Sequence, residues 1–175
     1  MAHPIKHFIT ITKHRHKVMR LCFSMGLFFQ GLKHDLSKYN PKEFFSGAKY
    51  YQGTRSPISK EKQVKGYSKA WLHHKGRNKH HFEYWTYYSK SQEKYVPIKM
   101  PIKYLKESLC DRIAATMIYN KKKYNDSMPL EYFLTTKDYL GMHEETASKM
   151  KEWLTLVKDV GHKKAIKIIK REKDY

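Results

Sequence analysis

Apolar residues recur at three- and four-residue steps through Ile11, Val18, Leu21, Cys22, Met25 and Phe28, which is the period of one buried helical face. The pattern predicts a first helix from about Pro4 to about Phe29. His14 falls on the inward stripe and His7 continues it towards the N-terminus, whereas His16 lies about 200° around the helix from His14, on the basic side with Lys13 and Lys17. After Gly31 the run Leu32 to Lys38 reads as a short helix closed by Tyr39. Asn40, Pro41 and Glu43 are a helix start signal of cap, first-turn proline and capping-box acid, with Phe44, Phe45, Ala48 and Tyr51 on the buried side.

From Gln52 to Gly66 turn residues and lysines show no period, so a long surface loop or lid is expected there. Tyr67 to Lys75 reads as a helix stopped by Gly76, and about Asn78 to Tyr88 as another that groups His81, Tyr84, Trp85 and Tyr88. Pro97 and Pro101 punctuate a linker before a strong helix, Pro101 to about Lys122, with Ile102, Leu105, Leu109, Ile113 and Met117 in register. Asp111 lies on a flank of that helix beside small residues. Three more helices follow at Pro129 to Tyr139, Glu144 to Val160 and about His162 to Arg171.

The expected architecture is all-α, a single-domain helical bundle. A chain of 175 residues with 40% hydrophobic content suits one domain with a real core. No apolar stretch reaches membrane-spanning length and no N-terminal signal core stands out, so the expected location is cytoplasmic. Cys22 and Cys110 lie on apolar helix faces without a CxxC spacing, which excludes a zinc ribbon or dithiol motif and predicts buried thiols. The formal charge of +20 gives the surface a field that attracts polyanions. Lys121 to Lys123 and the cluster from Lys163 to Lys173 are expected to be solvated faces.

Candidate chemistry lies in dispersed histidines and acids: His14, His34-Asp35, His73-His74, His80-His81 and Asp111. Imidazole with carboxylate is the donor mix of a catalytic metal site. On separate helices these residues can converge only in a folded bundle. The expected ligands are His14, His34, Asp35, His74, His81 and Asp111, with His73 and His80 as the second choice of each doublet. His and Asp suit one or two ions of Mn, Fe, Co, Ni or Zn alike. Glu43 and Glu83 are candidate acid or base groups, each with a plainer reading: Glu43 as a capping-box residue and Glu83 as a partner of Lys79. Lys75, Arg77 and Lys79 could clamp a substrate phosphate or serve simply as surface charge.

The order His14, His34-Asp35, Asp111, with the run His34-Asp35-Leu36-Ser37-Lys38, resembles the HD-domain metal phosphohydrolase superfamily over roughly residues 8 to 120. The resemblance implies an HD-like bundle in which Asp35 and His34 anchor a metal, His14 and Asp111 complete its shell, and Lys38 meets phosphate. It leaves about residues 128 to 175 as a C-terminal helical extension. Trp71 to Gly76 is similar to the His-His segment of the HD-GYP branch, but the Gly-Tyr-Pro signature is absent and cyclic dinucleotide specificity is not implied. The run Trp71 to His81 also resembles a family of small bacterial and phage proteins.

The implied activity is phosphohydrolysis by metal-bound hydroxide on a nucleotide or other phosphorylated small molecule, with Asp35 as the bridging or orienting carboxylate. Two alternatives stay open. One is a basic nucleic-acid-binding protein without catalysis, using the His-, Arg- and Trp-rich segment around residues 71 to 85; the other is a metal-dependent nuclease.

Overall fold

The computed structural model of the chain describes residues 2–175 and is mostly helical. The first helix, α1 (Pro4–Met25), buries His7, Ile11, His14, Val18, Leu21, Cys22 and Met25, the stripe its periodicity predicts. It ends earlier than expected because Gly26 takes a left-handed conformation, φ +83°, whose backbone N–H caps Cys22 and Phe23 carbonyls. Phe28 therefore starts a separate short helix, α2 (Phe28–Lys33), and is exposed rather than core. The expected helix over 32–38 is also absent: a single 3-10 turn, Leu36–Tyr39, follows a sharp bend at His34-Asp35.

The start signal at Asn40 holds. In α3 (Pro41–Lys49) the Asn40 side chain accepts the Lys42 N–H at 3.0 Å. Its buried face differs from expectation: Glu43, Gly47 and Ala48 are inside, while Phe45 is exposed. The expected loop over 52–66 contains a helix, α4 (Pro57–Lys65), started by Pro57 and stopped by Gly66 at φ +77°. Its periodicity is invisible in hydropathy because its buried residue is the acid Glu61, which accepts a 2.5 Å hydrogen bond from Ser68 Oγ. Next comes α5 (Lys69–Lys75), capped by Ser68 Oγ on the Trp71 N–H and ended at Gly76.

The predicted helix over 78–88 is overturned. A 3-10 turn, Phe82–Tyr84, leads into an antiparallel hairpin of β1 (Thr86–Ser89) and β2 (Lys94–Pro97), with Tyr88 opposite Tyr95. Aromatic and β-branched residues on both segments favour cross-strand pairing over the helical period.

The long helix α6 (Ile102–Asn120) packs across α1, with Leu105, Leu109, Cys110, Ile113 and Ala114 fully buried. It is followed by α7 (Met128–Thr136), α8 (Glu144–Val160) and α9 (His162–Ile169). One apolar cluster runs from Val18, Cys22 and Leu109 through Phe133 to Trp153 and Ile166, so the last three helices share the core of α1 and α6. The two buried cysteines belong to it, as expected. On its other side α1 packs against α3, which carries α4 and α5. Among the described residues no helix is long and apolar enough to cross a membrane.

Candidate metal centre

Where α1, α6, the His34-Asp35 bend and the segment after α5 meet, the chain gathers donor atoms. The bend makes this geometry. Asp35 adopts φ +55°, a left-handed conformation tolerated by Asp and costing about 1–3 kcal/mol for a non-glycine residue. Adjacent residues of a regular helix point about 100° apart; the bend lets His34 and Asp35 both face inward, each 1% exposed.

The two oxygens of Asp35 face different partners. Oδ2 lies 3.5 Å from His14 Nε2 and 3.3 Å from His34 Nε2, and Asp111 Oδ1 closes this group at 2.9 Å from His14 Nε2. Oδ1 lies 3.2 Å from His74 Nε2 and 3.5 Å from His80 Nε2, while His81 Nε2 is 2.9 Å from His74 Nε2. The chain thus builds two donor sets, His14-His34-Asp35-Asp111 and Asp35-His74-His80-His81, sharing Asp35, and either could hold a metal ion.

Donors bound at about 2.0–2.1 Å to a common ion stand about 2.9–3.4 Å apart for right-angled to tetrahedral arrangements. The observed separations fall in or next to this range. Ordinary hydrogen bonding does not account for the cluster, because the buried atoms His14 Nε2, His34 Nε2, His80 Nε2 and Asp35 Oδ1 have no hydrogen-bond partner. Each such atom costs about 1–3 kcal/mol when left unsatisfied, and a cation in each of the two donor sets would satisfy all four.

The far sides of the rings are held by carboxylates. Glu107 Oε1 lies 2.9 Å from His34 Nδ1 and 3.1 Å from His80 Nδ1. Glu43 Oε2 lies 2.8 Å from His74 Nδ1, and its other oxygen is 2.5 Å from His73 Nδ1. Such partners fix the tautomer and turn Nε2 inward. Asn78 adds a brace, donating to His74 O at 2.7 Å and Ser37 Oγ at 2.9 Å.

Protonation follows this arrangement. Burial alone would raise the pKa of Asp35, but His34, Lys38 and His74 outweigh it and hold the carboxyl well below its ordinary range. At Asp111 burial is likewise outweighed, by His14 and His34. Burial opposes the charge on His34 and His74 too, yet Asp35 beside them raises both. His80 and His81 are lowered, first by burial and then by neighbouring imidazoles, leaving two neutral donor rings. A metal entering here would displace protons from the raised histidines.

All six expected ligands, His14, His34, Asp35, His74, His81 and Asp111, come together. His80, the second choice of its doublet, is a full member of the cluster, whereas His73 is held outside it by Glu43. His16 is exposed and His7 packs elsewhere, against Gly47. Glu43 stands behind the donor ring with both oxygens committed to histidines, so neither the acid–base role nor a bare capping-box role describes its place. Lys38 does reach the site, its ammonium 2.5 Å from Asp35 Oδ2 and its side chain 26% exposed. Of the expected phosphate clamps, Arg77 reaches back from the turn after α5 to donate to His73 O, and Lys79 sits over the Tyr84 and Tyr104 rings. Glu83 is half-buried and lies near Asp138 and Arg112. Glu107 was not foreseen; it stands four residues before Asp111, one helical turn away on the same face.

Comparisons with curated proteins and with solved structures gave no match. A family model does match residues 3–156, a span that contains every donor residue, and the chain accordingly belongs to DUF5662, a family of unknown function.

Proposed function

We propose that the chain is a metal-dependent phosphohydrolase of HD type, acting on a nucleotide or other phosphoester. The observation that carries this reading is the divided role of Asp35, with one oxygen towards His14 and His34 and the other towards His74 and His80. A carboxylate shared between two imidazole-rich donor sets suits a site for two divalent ions. Bound there, the ions would supply Lewis acidity for a phosphoryl oxygen and lower the pKa of a coordinated water.

The chain's own groups divide the remaining work. His34, His74 and His80 are locked by Glu107 and Glu43, which keeps the donor ring preorganised. Lys38 and Asp111, at 26% and 18% side-chain exposure, form the accessible rim, so Lys38 is placed to pair with an entering phosphate. Asp35, kept ionised by its neighbours, orients the nucleophile.

Elemental analysis by mass spectrometry tests the reading. The unmodified chain should carry up to two equivalents of a transition metal, Asp35→Ala should lose both, and hydrolysis of a chromogenic phosphoester should disappear with them. Stoichiometric metal in folded Asp35→Ala would sink the assignment.

A further inference from the structure

A concavity lies away from the donor cluster. It opens between α1 and α9 and encloses about 950 Å³. Its walls carry Lys17 and Arg20 from α1 and Lys163, Lys167, Lys170 and Arg171 from α9 and the turn beyond. Leu21, Met117 and Ile166 give it an apolar floor, and no acidic residue lines it.

These cations have no carboxylate partners within the described chain. Lysine and arginine ion pairs involve Lys38, Lys65, Lys99, Arg112 and Lys149 instead. The nearby acids are committed elsewhere: Glu172 accepts from Trp153 at 2.9 Å and Lys149 at 3.2 Å, and Asp126 pairs with His162 at 2.8 Å. Lys163, Lys167 and Arg171 follow one another at four-residue steps, an arrangement in which like charges repel along a helix. An anion from outside the chain is the missing complement.

We infer that this groove binds the sugar-phosphate backbone of a single-stranded nucleic acid. Lys163 to Arg171 spreads charge over about 12 Å of helix axis, which matches a chain of phosphates and not one phosphate ion. The concave wall excludes a flat bilayer, and the apolar floor offers a surface to sugars and base edges that a bare polyphosphate would not use. Lys17 lies three residues beyond His14 on α1, about 4.5 Å along its axis, so the groove begins less than one helical turn along α1 from a donor residue. The binding does not require a metal, and its failure would leave the metal assignment standing.

The test is fluorescence anisotropy of a labelled oligothymidylate, in chelator, across a salt series. Lys163→Ala/Lys167→Ala/Arg171→Ala should weaken binding at least about tenfold and flatten the log–log salt dependence by about 2, from three lost contacts at about 0.7 each. Lys17→Ala/Arg20→Ala, on the opposite wall, should act in the same direction. Lys121→Ala/Lys122→Ala/Lys123→Ala removes the same charge from another exposed stretch and should leave affinity within about twofold. Equal losses in the α9 and Lys121–Lys123 variants would reduce the effect to net charge and overturn the site. Displacement of the oligonucleotide by equimolar tripolyphosphate would overturn the nucleic-acid assignment.

Discussion

Glu107 Oε1 accepts the Nδ1 proton of His34 at 2.9 Å, which commits the opposite nitrogen of that ring to Asp35 and Asp111. The same oxygen lies 3.1 Å from His80 Nδ1, so one carboxylate on α6 orients a histidine from each donor set. Burial raises the pKa of Glu107, but hydrogen bonds from His34 and His80 outweigh it and keep the group ionised.

Removing Glu107 should therefore weaken metal binding without removing a ligand. Glu107→Ala is expected to lower affinity about 10- to 100-fold, as loss of an orienting partner does, with the fold retained. Competition against a chelating dye reads the change directly. Unaltered affinity would leave Glu107 a packing residue only.

Much of the scaffold was legible because its signals were redundant. In α1 the buried stripe placed His14 inward beside Val18 and Leu21, and in α8 the period runs from Glu144 to a stop at Gly161. The failures have physical causes. Glu61 hides the inward face of α4 from any hydropathy pattern, since a buried acid bonded to Ser68 reads as a surface residue. His81, Tyr84, Trp85 and Tyr88 match helical spacing, yet Tyr88 is exposed on a strand because Lys94–Pro97, a few residues on, supplies a pairing partner in a hairpin. The left-handed Asp35 has no hydropathy signal either, and that bend is what brings one carboxylate within 3.5 Å of both His14 and His80.

Gly47 tests the seam between α1 and α3. A Cβ added there would lie 2.2 Å from His7 Nε2 and 2.4 Å from His7 Cε1. Helix propensity alone would favour alanine by about 1 kcal/mol, but overpacking of this kind costs about 1–3 kcal/mol, so Gly47→Ala should be destabilising. Gly47 stands one turn after Glu43, and the displaced helix should also loosen the hold on His73 and His74. In a double-mutant cycle His7→Ala should relieve much of the Gly47→Ala loss. Additive losses in urea unfolding would show that the two side chains do not compete for the same space.

His7 gives a pH signature separate from the donor residues. Burial, with Lys38 adding, lowers its pKa from 6.5 to about 4, and its buried Nδ1 has no hydrogen-bond partner. The folded chain thus holds His7 neutral where the unfolded chain would protonate it. Between about pH 4 and 6.5 the unfolded state binds more protons, so stability rises with pH through this window and is fully present above it. The total is on the order of 3 kcal/mol. His7→Asn removes the titration and adds only a pH-independent packing change. The difference between unmodified chain and variant, from urea unfolding in chelator at a series of pH values, should therefore slope across this window, while protons on the metal ligands cancel. A flat difference would mean that His7 titrates normally and its seat against Gly47 is open to water.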